Sequence, residues 1–329
     1  MAVTAEKPDA AVPGGSRAAE LRDEAAYMVC GLWMVIGLYI DGWSHQADKP
    51  ETFFTPWHAV LYSGFGAAVV YSGWIAARDA RAGRQPAVGD DRITTLGVVL
   101  FALGAGGDLL WHTLVGIEVD IEGLISPTHV ALMAGGLLMV TLPVRGALRA
   151  DHREAPVPVV ASIVLAIGVA AFFLMYLMPW NEAETFAHPY VPDVELSNRT
   201  VETGMATVIV TTALFFTAIL WTARRWRLPA GAATVGFTLV ALGQSGLSGF
   251  DVRLPILAAT AAGLVTDVLL RRGRSLAVVG LVGGTVLWVA FFALFHAETG
   301  VEWSPSLWVG AVVFGGLSGL ASGVAVRER

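Results

Sequence analysis

Charge, cysteine and polar surface are what this chain has least of. Only 15% of its 329 residues are charged against 55% hydrophobic, and the mean hydropathy is +0.63. Too few polar side chains are present to coat a soluble globule of this length, so the composition excludes a water-soluble enzyme and implies an integral membrane protein. Cysteine occurs once, at Cys30 within an apolar run, which excludes an intrachain disulfide and a thiolate metal cluster. Any metal must then be held by histidine and carboxylate. No apolar segment with a small-residue cleavage site precedes the first long hydrophobic run, so the opening is not a secretory signal. Residues 1–22 mix Pro, Gly, Ala and charge without apolar periodicity and are expected to form a disordered cytoplasmic tail. The glycine clusters follow no strand and do not form a nucleotide loop, and no nucleic-acid partner is expected.

What is present is apolar length. Runs long enough to cross about 30 Å of hydrocarbon fall near 24–43, 56–78, 93–112, 127–149, 157–179, 202–223, 229–248, 252–270, 276–296 and 305–326. They are continuous rather than alternating, and a spanning segment must satisfy its own backbone in lipid, so each is read as a helix. The expected fold is all-α, a polytopic transmembrane bundle of about ten helices. Residues 23–150 form a four-helix half and 151–329 a six-helix membrane scaffold.

Loop charge orients the bundle. All but Lys49, Arg199 and Arg253 of the 21 Lys and Arg fall in the termini and the even-numbered loops, whereas the odd-numbered loops carry acidic groups such as Asp48, Glu51, Glu118, Asp120 and Glu122. Basic residues gather on the cytoplasmic side, which places both termini there and the odd-numbered loops outside, as for a multi-pass protein of the cell membrane. Six histidines then lie on the outer side; His152 alone is cytoplasmic, a solvated loop residue beside Arg149 and Arg153.

Four of the outer histidines form a repeated pattern. Asp41 and His45 are one helical turn apart at the outer end of the first run, and Asp108 and His112 repeat this at the end of the third. Each chain segment then returns through Thr55-Pro56-Trp57-His58 or Ser126-Pro127-Thr128-His129. A Ser or Thr cap followed by Pro marks a helix start and puts each second histidine in a first turn facing the preceding helix end. One histidine at a membrane edge is ordinarily an interfacial or capping residue. Capping does not require the conjunction seen here, with offsets of 67 residues for the Asp and first His and 71 for the second His. Asp41, His45, His58, Asp108, His112 and His129 are therefore read as metal donors near the outer face. The set suits copper, zinc, iron or manganese, and its lack of sulfur argues against a soft Cu(I) carrier.

The stretch "DGWSHQADKPETFFTPWHAVLYSGF" resembles part of one membrane subunit of the particulate methane and ammonia monooxygenases, the copper membrane monooxygenase family, in which an Asp, a His four residues on and a His thirteen further on bind copper. A second copper set of that family, an amide residue and two His, falls at Asp108, His112 and His129. Asp108 departs from the family's Asn, and the gap from His112 to His129 is a few residues longer. The resemblance covers residues 30–140 and implies copper, ahead of zinc or iron, used with O2 to hydroxylate a small apolar substrate. It implies other membrane subunits and an external electron donor, since no haem, flavin or iron–sulfur motif is evident; a second copy of this chain is a further open partner. The donor set alone suits a non-enzymatic copper or zinc transporter, storage protein or sensor equally well. Transport needs polar groups through the whole thickness, and beyond the first half only Gln244 and Asp267 stand out.

Lesser features have simpler readings. Trp33, Trp43, Trp57, Trp74, Trp111, Trp180, Trp303 and Trp308 read as an interfacial belt. "NEAETFAHPY", with Glu182, Glu184 and His188, reads as an outer loop or a lid, and His296 with Glu298 as a weak second pair.

Overall fold

The computed structural model describes residues 17–47, 49, 54–83, 92–116, 120–149 and 153–326. Residues 1–16 of the expected tail, with Asp48, Glu51, Glu118 and His152, lie outside them. Among the described residues there is no strand, only an isolated bridge between Glu154 and Arg227. The helices are α1 (Arg17–Gln46), α2 (Pro56–Arg81), α3 (Arg92–Leu114), α4 (Asp120–Ile125), α5 (Pro127–Val140), α6 (Leu142–Arg149), α7 (Val157–Phe173), α8 (Glu195–Arg225), α9 (Ala232–Leu247), α10 (Ile256–Arg271), α11 (Leu276–Glu298) and α12 (Pro305–Ala325). The last residues of the expected tail, 17–22, are already helical. Ala18, Ala19, Glu20 and Leu21 are strong helix formers and extend α1 past its apolar part.

Among the described residues six helices are long and apolar enough to cross a membrane: α1, α2, α3, α8, α11 and α12. A seventh candidate is α5 with α6, bent by 42° at Thr141. Pro143 explains the break, because it donates no hydrogen bond and its ring crowds the carbonyl one turn back. The hydroxyl of Thr141 donates to Leu137 O at 2.6 Å, closing α5. The predicted runs at 157–179, 229–248 and 252–270 appear as α7, α9 and α10, of 17, 16 and 16 residues. At about 1.5 Å per residue these reach about 25 Å, short of a full apolar thickness.

Two cores divide the molecule, and α7 serves both. Leu165 and Val169 pack with Met34, Leu61, Phe101 and Leu132 of the first half. Ile167 and Ala171 join the aromatic core of the second, built on Trp180, Phe186, Phe215, Trp288 and Phe291. Trp180, Trp288 and Trp303 are buried in that core, so Trp180 and Trp303 do not belong to an interfacial belt; Trp33, Trp43 and Trp74 are exposed as a belt requires. Asp267 and Gln244, the two polar residues that stand out in the later runs, make structural bonds. Asp267 accepts from the amides of Ala233 and Thr234 at 3.1 and 3.0 Å, capping α9, and Gln244 donates to Tyr39 Oη at 3.1 Å, which donates to Gly168 O at 2.9 Å.

Candidate metal centre

Each donor's position follows from local helix chemistry. Asp41 and His45 lie in the last two turns of α1, and Asp108 and His112 in those of α3. Thr55 caps α2 and Ser126 caps α5, each accepting from the backbone N–H of the histidine three residues on, at 3.4 and 3.3 Å, with Pro at the first helical position. The same two hydroxyls meet the histidine rings: Thr55 Oγ1 is 2.9 Å from His58 Nδ1, and Ser126 Oγ is 2.7 Å from His129 Nδ1. In α3, His112 Nδ1 lies 3.4 Å from the carbonyl of Gly116. Three of the four rings thus have Nδ1 beside a nearby oxygen, which restrains ring orientation; in His58 and His112 this leaves Nε2 turned toward the carboxylate.

The carboxylates sit between the rings. His58 Nε2 is 3.3 Å from Asp41 Oδ1 and His45 Nε2 is 3.7 Å from Asp41 Oδ2. One donor atom each from Asp41, His45 and His58 lie within 4.8 Å of one another, the spacing of a site able to hold a metal ion. In the second set, His112 Nε2 is 3.4 Å from Asp108 Oδ2 and His129 Nδ1 is 3.7 Å from Asp108 Oδ1. Thr128 donates to that Oδ1 at 3.3 Å. This set is more open, with imidazole centroids 6.5 Å apart against 6.0 Å in the first. Asp41 and Asp108 are 8% and 2% exposed. Among the described residues Asp41 Oδ1 is buried with no hydrogen-bond donor, His58 Nε2 being near it without hydrogen-bond geometry. A buried carboxylate oxygen lacking a donor is costly unless a cation meets it, so the first set fits a metal on its own geometry.

All six residues line one cavity of about 390 Å³. Its walls are otherwise mostly apolar, and they are not confined to the first four predicted spans: Phe172 and Phe173 of α7 and Leu124 of α4 close it. α4 occupies part of the stretch expected to be a plain acidic loop.

A wider repeat holds the site, and sequence reading of the donors alone misses it. Gly37 precedes Asp41 by one turn, and Gly104 precedes Asp108 by one turn. A Cβ on Gly37 would lie 2.5 Å from the backbone of Leu61, and one on Gly104 2.9 Å from the backbone of Leu132. Gly64 and Gly135, each six residues past the second histidine, leave no room either: a Cβ there would lie 2.5 Å from the nitrogens of Met34 and Phe101. These glycines recur with the offsets of the donors, 67 and 71 residues. The hairpins α1–α2 and α3–α5 are therefore two copies of one unit, pressed together backbone to backbone just below the donors. The period was the signal available in the sequence.

The other candidates are structural. His296 Nδ1 accepts from the Val301 amide at 3.3 Å, while Glu298 accepts from the amides of Arg253 and Leu254 at 3.0 and 2.8 Å, bracing the start of α10. In the NEAETFAHPY stretch, Phe186 is buried among Trp288, Phe291, Phe292 and Trp303, which anchors the stretch to the second core, while His188 is exposed; none of its residues lines the cavity. Compared with family models, curated proteins and solved structures, the chain gives no match.

Proposed function

We propose that this chain is a copper-binding membrane protein that hydroxylates an apolar substrate with O2. The observation that carries the reading is the convergence of six His and Asp donors on a single cavity whose remaining walls are mostly apolar. Asp41, His45 and His58 would hold one ion, and Asp108, His112 and His129 a second. Copper would supply redox chemistry toward O2 at an open coordination position. The residues of the chain do the rest. Thr55, Ser126 and the Gly116 carbonyl hold the orientation of three rings, the two aspartates would balance cationic charge, and the apolar walls exclude water. In the net reaction one oxygen atom enters a C–H bond and the other leaves as water, with two electrons and two protons from an external reductant and its protein partner.

The resemblance of residues 41–65 to the membrane monooxygenases supports copper over zinc. We place ten crossings in the membrane with both termini cytoplasmic, α7, α9 and α10 being short ones. In favour of that topology, Arg78 and Arg81, Arg145 and Arg149, Arg224 and Arg225, and Arg271 and Arg272 mark the ends of α2, α6, α8 and α10. The donors then face the outside of the cell membrane. Transport is disfavoured because Asp267 caps α9 and the Gln244 amide donates to Tyr39, which gives both of these residues a structural task.

Metal analysis and EPR of the purified protein test this reading, wild type against His45→Ala and His112→Ala. Copper with a Cu(II) signal in the wild type, reduced in each variant, is expected, together with substrate-dependent O2 uptake when a reductant is supplied. Zinc at one ion per chain with no EPR signal sinks the proposal.

A further inference from the structure

The two hairpin copies align at the residues that build the site, and one of the positions where they differ lies on the cavity wall. Met34 corresponds to Phe101, Leu61 to Leu132, and the donors to one another; all of these line the cavity. Phe65 of α2 corresponds to Gly136 of α5 by the 71-residue offset that relates His58 to His129. In one copy Phe65 stacks on Phe101 with centroids 4.6 Å apart, filling the space between the hairpins. The equivalent contact in the other copy is Gly136 against Met34, and there no ring exists. A Cβ on Gly136 would make ordinary contact with Met34 Cε and Phe101 Cε2 at 3.9 Å, so a methyl fits there without displacing a neighbour while a ring would have to enter the cavity, unlike the neighbouring Gly135, where even a methyl meets backbone.

Gly136 lines the cavity beside Met34 and Phe101. Met34 precedes Asp41 by two helical turns, and Gly136 follows His129 by two, so the floor lies about 10 Å below the donors. Leu38, Leu61, Leu132, Val169 and Phe172 line the space between. The volume, about 390 Å³, exceeds twice the roughly 150 Å³ of a dry cavity that takes up benzene. A one-carbon gas would touch only part of such walls, and dispersion attraction is forfeited wherever a gap separates ligand from wall. A flexible apolar chain about as long as the cavity is deep would fill it and bring one end to the carboxylates and imidazoles.

We infer that the cavity takes a medium-chain unbranched hydrocarbon, end-on to the six donors, and that Gly136 sets the length accepted. As a substrate assignment this rests on the function proposed above; as a binding site it does not need metal. The test uses the full chain in lipid nanodiscs, first metal-free, with octane carrying a terminal trifluoromethyl group as a fluorine NMR probe. A protein-bound resonance that unlabelled octane displaces is expected, and trifluoroethane should bind at least about tenfold more weakly. Gly136→Phe, which restores the ring of the other copy, should weaken octane binding by at least about tenfold, and Gly136→Ala should change it by less than about threefold. If the Phe variant does not fold, Gly136→Leu takes its place with the same expectation. Cu(II) added to the wild type should broaden the bound resonance, which reports an end near the donors. Overturning results are no bound resonance in the metal-free wild type, trifluoroethane binding as tightly as octane, unchanged octane binding in the Phe or Leu variant, a copurified phospholipid chain that octane cannot displace, or a bound resonance left sharp in copper-loaded protein. A wild type that binds octane but no copper sinks the copper reading and leaves the hydrocarbon site standing.

Discussion

Replacing Thr55 by Val removes one oxygen that has two tasks, and the two losses are separable. The hydroxyl accepts from the His58 backbone N–H at 3.4 Å as the cap of α2, and it lies 2.9 Å from the His58 ring Nδ1. Losing a Thr cap costs about 0.5–2 kcal/mol whether or not metal is present. Losing the hydrogen bond that orients a ligating imidazole lowers metal affinity about 10–100-fold. At a free metal concentration about 1,000 times Kd, binding stabilises the wild type by about 4.1 kcal/mol; a Kd weakened 10–100-fold cuts that to about 2.7–1.4 kcal/mol. The variant should therefore lose about 1 kcal/mol metal-free and a further 1.4–2.7 kcal/mol when metal is added. Thr55→Ser, which keeps the hydroxyl, should restore both. The assay is thermal unfolding in mild detergent across a metal titration, read beside equilibrium metal binding. A variant with the metal-free loss but wild-type metal affinity would refute the claim that His58 coordinates through Nε2 with Thr55 as its anchor.

Three further outcomes test the architecture. Gly64→Ala puts a methyl 2.5 Å from the Met34 nitrogen, where backbone cannot yield, and should destabilise by about 1–3 kcal/mol or more in thermal unfolding; Gly66→Ala, which meets nothing within 4 Å, should be neutral or stabilising. Phe186→Ala should cost about 3–5 kcal/mol yet leave metal content unchanged, whereas a lid over the cavity would behave the opposite way. Burial, reinforced by nearby Glu184, holds the Glu182 carboxyl above its ordinary value of 4.5. The folded state keeps this proton to higher pH than the unfolded chain, so the contribution is full below the ordinary value and is lost as pH rises through the folded one. Glu182→Gln should raise the unfolding midpoint at about pH 8 and change it little at about pH 4, and a parallel pair of pH profiles would count against the burial argument.

Short-range chemistry made the donors legible before any coordinates. Asp41 with His45, and Asp108 with His112, are one turn apart, and Thr55-Pro56 and Ser126-Pro127 fix where the next helices begin, so the facing of His58 and His129 follows from local rules. Helix identity was legible for the same reason, since continuous apolar runs have no other way to satisfy their backbones in lipid. Crossing length was not. The bend at Thr141 has a local cause in Pro143, but the end of α7 at Phe173 depends on which neighbours accept the chain, since apolar composition continues past it. The burial of Phe186 was hidden too, because the polar letters of NEAETFAHPY mask one aromatic side chain that the second core needs. Gly64, Gly104 and Gly135 read from the sequence as sites of close helix packing, but that they and Gly37 share the donor period, and which backbone each meets, emerged only with the opposite helix in place.

Duplication explains why the candidate site lies where it does. Each hairpin alone supplies one carboxylate and two imidazoles at the mouth of a two-helix unit, and two helices cannot enclose a space. Crossed at Gly37 and Gly64, and at Gly97 and Gly135, the copies are too tight internally to hold anything but their own backbones. Room arises only between copies and against α7, where Met34, Phe101, Val169 and Phe172 face one another. The donors, being at equivalent ends of both units, are brought to the top of that room by the same packing. An apolar chamber and a polar rim are thus one consequence of repeating a single hairpin. Gly136, standing where the first copy has Phe65, leaves that wall of the chamber without a side chain of its own.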